Sequence, residues 1–343
     1  MKLTLEEIGR MAGVSRSTVS RVVNNERSVR PEVRERVQEV IRETGYRPNA
    51  AARSLASNRT GVVGLVIPHR VHTLFDDPYF PLLIQGVSQA SNLAEVTLSL
   101  FLFQSEAEER DLYPRLVGSG TVDGVVITAT RMGDPLLERL AGDELPYVVV
   151  GRPDAPSGVT YVDTDNRGGA RDAALHLCNL GHRRIGYIGA PTNTSAGVDR
   201  RSGFLEGLSL CGATPGADLM RDGDYTEESG YRAMRSLLDA NPEAVFVATD
   251  TMAVGALRAL NEANVSVPND IGLVSFDGLP PSERSLPKLT TVRQPVNETG
   301  ARAVELLLGL VNGEIEGPVH EVLPTELVIR ESCGASRRSA AGP

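Results

Sequence analysis

The stretch Gly13–Asn25, GVSRSTVSRVVNN, packs two arginines and four hydroxyl side chains into thirteen residues. At helical spacing Arg16, Ser17, Ser20 and Arg21 share one face, and Val19, Val22 and Val23 share the opposite one. A guanidinium can donate bidentately to guanine O6 and N7, and Ser or Thr can pair with either kind of base. The chemistry this pattern suits is the reading of base edges in a DNA groove. The plainer alternative is the polar face of a small helical bundle.

Reading DNA this way requires elements that hold the face rigid. TLEEIGRMA predicts a helix capped by Thr4, with Glu7 completing a capping box and Leu5, Ile8 and Ala12 on one side. Gly13 ends it. Ser15 caps the second helix. A third helix is predicted from Pro31 to Thr44, striped by Val33, Val37, Val40 and Ile41 and closed by Gly45. Two helices joined at a glycine turn and braced by a third make a helix-turn-helix, whose second helix enters the major groove. Charge agrees. Residues 1–60 carry 12 basic and 7 acidic side chains, out of 35 and 44 in the chain, so a net +5 arm precedes a net −14 body. A basic arm on an acidic body points to a polyanion partner for the arm alone.

LEEIGRMAGVSRSTVSRVVNN, continued by VRPEVRERVQEVIRETGYRPNAAARSL, resembles the headpiece of the lactose/galactose repressor family of bacterial transcription regulators. Arg30 departs from it, standing where many members have a Ser or Thr cap. The resemblance implies DNA contacts from Thr4, Ser15, Arg16, Ser17, Thr18, Ser20, Arg21, Asn24 and Tyr46. It implies others from a hinge helix carrying Asn49, Ala52, Arg53 and Leu55, with Leu55 wedged into a minor-groove step. Alone, that segment is far shorter than the roughly 12 to 15 residues an isolated helix needs. The expected organisation is a DNA-binding domain over 1–47, a hinge over 48–60, an effector and dimerisation domain over 61–330 and a disordered tail over 331–343.

The body alternates apolar strand signatures (TGVVGLVIP, EVTLSLFLFQ, VDGVVITAT, PYVVVGR, RRIGYIGAP, EAVFVATD, DIGLVSFDG) with helical stretches such as YFPLLIQGVSQASN and RGGARDAALHLCNLG. Alternation of this kind predicts an α/β, doubly wound parallel fold. There are too many strands for one sheet of usual size, so two lobes are expected. The resemblance extends through DPYF, VDTDNRGGA, DRRSGFLEGL, VPNDIGLVSFDG and LTTVRQP, and implies a periplasmic-binding-protein-like domain with a ligand between its lobes. Carried over singly, the ligand residues are Tyr79, Phe80, Arg200, Tyr225 and Asp277. Aromatic rings would cover an apolar face, Arg would donate and a carboxylate would accept. Each has a plainer reading: Arg200 as a surface ion pair, Tyr225 as core, Asp277 as a turn cap. Asp165 and Asn166 read as caps near the lobe crossover.

Enzyme signatures are poor. GYIGAP lacks the third glycine of a dinucleotide fingerprint, no P-loop lysine is present, and His69 and His72 have no further ligand beside them. No cofactor is expected. Cys178, Cys211 and Cys333 lack metal-ligand spacing, and with no apolar run of membrane-spanning length or secretory leader they suggest a cytoplasmic protein. The expected protein is a homodimeric, effector-responsive transcription regulator. Its partners are a palindromic double-stranded operator and a small polar molecule, a sugar first, with nucleosides and purines as alternatives. A secreted solute-binding protein and an α/β enzyme with a DNA-binding appendage are the competing classes.

Overall fold

The structure is a computed structural model. It describes residues 3–23, 28–46, 59–67, 76–103, 105–118, 120–128, 131–154, 158–214 and 216–335. The chain divides into two units, Met1–Gly61 and Val62–Pro343.

The first unit contains helices α1 (Leu5–Ala12), α2 (Arg16–Val23) and α3 (Pro31–Thr44). Thr4 starts α1 through a capping box: its N–H donates to Glu7 Oε2 at 2.7 Å, and Glu7 N–H donates back to Thr4 Oγ1 at 3.3 Å. Gly13 adopts φ 66° to end the helix. The turn can be this tight because Gly9 lacks a Cβ, which would stand 2.7 Å from the Val14 carbonyl oxygen. Ser15 Oγ accepts from Thr18 N–H and starts α2. Arg30 precedes α3 without a side-chain cap. Ile8, Ala12, Val19, Val22 and Val37 form the core, with Leu5, Val23, Val40, Ile41 and Tyr46 packed around it. Val33, expected on the α3 stripe, is half-buried and lies outside that cluster. Burial of each large apolar side chain stabilises the unit by about 1.5–3 kcal/mol.

The second unit is the two-lobed α/β fold. Among the described residues it holds two six-stranded sheets. The first has the order β11-β5-β4-β3-β1-β2, built from β1 (Val62–Ile67), β2 (Thr97–Leu102), β3 (Gly124–Thr128), β4 (Tyr147–Val150), β5 (Tyr161–Thr164) and β11 (His320–Leu323). The second has the order β12-β10-β9-β8-β6-β7, from β6 (Ile185–Gly189), β7 (Met220–Asp222), β8 (Ala244–Val247), β9 (Gly272–Asp277), β10 (Thr290–Arg293) and β12 (Glu326–Val328). Pairing is parallel except between β10 and β12. Central strands are buried throughout, as in β3 and β6, because helices cover both faces.

Helices α4 (Tyr79–Leu93) and α12 (Val296–Asn312) pack on the first sheet. Helices α7 (Asn166–Asn179), α8 (Ser195–Leu210), α9 (Glu227–Leu237) and α10 (Asp250–Glu262) pack on the second. Between them in sequence run α5 (Glu106–Leu116), α6 (Pro135–Leu140) and α11 (Pro280–Arg284). Since β11 returns to the first sheet, the described chain passes between lobes around residues 165, 294–295 and 324–325.

Residues 331–335, expected to belong to a disordered tail, are held in place. Ser332 and Cys333 are buried; Ser332 Oγ donates to the Leu273 carbonyl at 2.6 Å, and Leu273 N–H donates to the Ser332 carbonyl at 2.8 Å. These bonds tie the segment to the start of β9, an interior strand of the second sheet, which the polar sequence there does not advertise.

Candidate nucleic-acid interface and ligand site

In the first unit, α2 turns its valines inward and leaves Arg16, Ser17 and Arg21 exposed, with Thr18 and Ser20 half-buried. The hydroxyls at its start are mutually bonded: Ser15 Oγ lies 2.8 Å from Ser17 Oγ and 2.9 Å from Thr18 Oγ1. Arg16 Nε stands 3.1 Å from Glu6 Oε1 in the first turn of α1. Thr4 is exposed but committed to its capping box. Tyr46 packs on the headpiece core, and burial, with the Glu6 charge second, pushes its hydroxyl pKa up. Arg16, Ser17, Ser20 and Arg21 are thus presented by one helix. Asn24, Asn49, Ala52, Arg53 and Leu55, and the His69–His72 pair, lie outside the described residues.

In the second unit, the ligand residues expected from the sequence gather at the C-terminal ends of parallel strands, where open α/β sheets bind ligands. Asp277 ends β9, and Arg200 comes from α8. The spacing between Arg200 and Gly203 has a physical reason. A Cβ on Gly203 would lie 2.0 Å from the Arg167 carbonyl oxygen, so only glycine lets α8 settle onto the start of α7. One turn earlier, Arg200 is thereby brought to its partners. Its Nη1 lies 2.9 Å from Asp277 Oδ1 and donates to the Ala248 carbonyl at 2.6 Å; its Nε donates to Asn166 Oδ1 at 2.9 Å. The guanidinium lies 3.8 Å from the centroid of Phe276. The pair is buried, so the surface-pair reading of Arg200 does not hold.

The network continues across the lobes. Gln294 Nε2 donates to Asp277 Oδ1 at 2.8 Å, and Thr164 Oγ1 donates to Gln294 Oε1 at 3.3 Å. Asn166 Nδ2 donates to the Thr164 carbonyl at 3.0 Å and to Asp163 Oδ1 at 3.2 Å. A closed ring results, running Thr164, Asn166, Arg200, Asp277, Gln294 and back, at two of the places where the chain changes lobe. Asp165 caps α7 by accepting from Gly168 N–H, whereas Asn166 is part of the ring. Arg152, just after β4, also reaches across to Asp199 of α8 at 2.5 Å.

Around the ring the electrostatics are lopsided. Burial raises Asp77 and Asp163 to about 6, and raises Asp277 against the opposing pull of Arg200. Tyr79 and Tyr225 are both pushed up, first by burial; the Asp277 charge adds to this in each, and Arg200 opposes it. Tyr79 N–H donates to Asp77 Oδ1 at 3.0 Å, and Tyr225 Oη lies 2.9 Å from Thr194 Oγ1. Tyr225 and Asp277 have φ of 72° and 111°. Held away from the favoured regions, such residues cost about 1–3 kcal/mol each and mark sites whose surroundings enforce them. Asp250 sits behind, satisfied by Ser275, Thr291 and the Leu279 N–H. Phe80 differs from the other expected residues. It belongs to the first lobe's apolar core, edge-on to Tyr79 at 5.5 Å, and backs that ring. Asp77, Asp163, Gln294 and Thr194 join the site without having been singled out in the sequence. Asp77 and Asp163 do lie inside DPYF and VDTDN, beside residues that were, and Gln294 lies inside LTTVRQP. Among the described residues no group of three or more His, Cys, Asp and Glu side chains is arranged to hold a metal ion, and no helix is long and apolar enough to cross a membrane.

Comparison with known proteins accounts for both regions. Residues 4–49 match the lacI family of bacterial regulatory proteins, and residues 174–333 match a periplasmic binding protein-like domain. The HTH-type transcriptional regulator CelR of Thermobifida fusca is 40% identical over 333 residues, spanning 96% of this chain and 98% of that one. The HTH-type transcriptional repressor PurR of Edwardsiella ictaluri is 34% identical over 333 residues, spanning 96% of each. Among solved structures, a CelR–cellobiose complex matches at 38% identity and a TM-score of 0.77, covering 96% of this chain and 99% of that one. A lac repressor dimer bound to operator and the anti-inducer ONPF matches at 26% identity and a TM-score of 0.81, covering 97% and 99%. The chain belongs to the lacI family of bacterial regulatory proteins, DNA-binding transcriptional regulators that join a helix-turn-helix headpiece to a periplasmic-binding-protein-like body.

Proposed function

We propose that this regulator is a homodimer whose operator affinity is set by a neutral, polyhydroxylated effector, a sugar of the cellobiose class, and that it is not an enzyme. The observation that carries the effector class is the lopsided charge of the inter-lobe site. Asp77, Asp163 and Asp277 stand within electrostatic reach of Arg200, whose guanidinium is already ion-paired with Asp277. An anionic ligand would meet net repulsion there, whereas ligand hydroxyls can donate to carboxylates and lie against Tyr79 and Tyr225. The cellobiose bound by the related CelR supports the same class. Arg16, Ser17, Ser20 and Arg21 read base edges, and each half of a two-fold dimer reads half of a palindromic operator.

Coupling between the two sites is a free energy. If the effector changes operator affinity by some factor, the operator changes effector affinity by the same factor. Residues 48–60 connect the sites in sequence, and Leu55 is the proposed minor-groove wedge.

A thermal-shift screen of cellobiose, other disaccharides, monosaccharides and nucleosides tests the effector class, since a bound ligand raises the melting temperature by mass action. Each hit is then titrated against the operator. Stabilisation by nucleosides or anionic ligands alone would overturn the sugar reading. Turnover of any hit would overturn the non-enzymatic one.

A further inference from the structure

We propose that Glu6 positions Arg16 for base reading, and so determines specificity at one base pair per operator half-site. This deepens, and rests on, the reading of Arg16 as a base contact.

Glu6 lies in the first turn of α1, where an acidic residue complements the helix dipole. That role needs no partner, yet its carboxylate meets Arg16 at 3.1 Å, across the turn and in the first position of α2. The atom engaged is Nε. A guanidinium held by its Nε–H keeps the two terminal nitrogens for the paired donation that matches guanine O6 and N7. The pair remains 68% and 59% exposed, and among the described residues no second ion pair holds the arginine's long side chain. Released, the same side chain could swing to a phosphate, which carries no sequence information. Glu6 also brings negative charge to a face that must approach a polyanion, which disfavours binding to any DNA indiscriminately. Its two effects therefore have opposite signs: it weakens non-specific binding and sharpens choice.

The test uses the full-length chain and an operator selected from a randomised duplex pool. Affinities of wild type, Glu6→Ala, Glu6→Gln, Arg16→Ala and the Glu6→Ala/Arg16→Ala double variant are measured. The duplexes are the operator, its single-base-pair variants and an unrelated sequence. Glu6→Ala is expected to lower discrimination about two- to five-fold, the scale of an exposed ion pair, at the base pair whose preference Arg16→Ala abolishes. It should tighten binding to the unrelated duplex. Glu6→Gln, which keeps an acceptor for Nε–H, should retain most of the preference. In the Arg16→Ala background the Glu6 substitution should cost no further discrimination. A purely structural Glu6 would weaken all duplexes alike, and a purely electrostatic one would strengthen all alike; either result overturns the proposal. If Arg16→Ala itself relaxes no base position, the reading of Arg16 fails first and the proposal goes with it.

Discussion

The two units each hold an arginine against a carboxylate at nearly the same distance: Arg16 to Glu6 at 3.1 Å and Arg200 to Asp277 at 2.9 Å. Their surroundings differ completely. The headpiece pair is mostly exposed, whereas the body pair is 5% and 7% exposed. In water, such a pair is worth about 0–1 kcal/mol, so Glu6 can orient Arg16 for a base while adding little to the stability of the headpiece. Removed from water, the same two charges must be kept company by further bonds, and Arg200 and Asp277 have Asn166, Ala248 and Gln294. One pair orients an arginine that stays open to solvent, the other holds its groups in a fixed, buried arrangement.

That contrast can be broken in order of expected size. Replacing Asp277 by Ala leaves a buried guanidinium unpaired and should destabilise the body by about 3–5 kcal/mol, read by denaturant unfolding. Asp277→Asn, which retains an acceptor, should cost less while still impairing the effector response. A small loss for Asp277→Ala would mean the pair is not truly desolvated. Next, Arg16→Ala should cost about 1–3 kcal/mol of discrimination at one base pair per half-site. Headpiece unfolding should scarcely change, since the pair it breaks is exposed. If stability falls more than specificity, the two units do not differ as described.

Tyr225→Phe removes a hydroxyl bond to Thr194 and should weaken effector binding by about 1 kcal/mol, measured calorimetrically, with operator binding in the absence of effector unchanged. Smallest and most gradual is the pH response. Asp77 and Asp163 titrate near 6 in the native body, against a reference of 3.8. Between those values the native state binds more protons than the unfolded one. The contribution of these groups to stability therefore falls as pH rises through that window and is constant above it. Effector hydroxyls that donate to carboxylates favour the ionised forms, so effector affinity should climb over the same window, and Asp163→Asn should flatten the climb.

Much of this was legible from residue types. The capping box, the Gly13 and Gly45 stops and the third-helix limits follow from local chemistry, and the structure has them where that chemistry puts them. The long apolar strands were also plain, since burial on both faces leaves no alternation to misread. Less visible were β7, β11 and β12, short strands lying at sheet edges whose side chains are half-exposed and mixed in character. Ser332 and Cys333 look like tail because what anchors them is backbone bonding to β9 and burial, which polarity does not encode. In the site, Arg200, Asp277 and Gln294 all stand in recognisable strings, but the parts played by Gln294 and Thr194 come from contacts made far along the chain. Phe80 is buried in the apolar core beside Tyr79 because a one-residue step on a helix turns a side chain by about 100°.

The ring of Thr164, Asn166, Arg200, Asp277 and Gln294 has a further consequence, which is one of connectivity. In a closed circuit the bonded atoms are already engaged with one another, so a ligand that takes one of them cannot simply add a bond. It must exchange, and each exchange leaves a partner one or two links away in want of a replacement. A guest is therefore recognised by whether its own donors and acceptors can be spliced into the loop without leaving a loose end. A molecule with several hydroxyls, each both donor and acceptor, can splice in at more than one place, while one with a single polar group can only cut. Because the loop is threaded through two of the strand-to-helix passages between lobes, any cut is also a change in how those passages are tied.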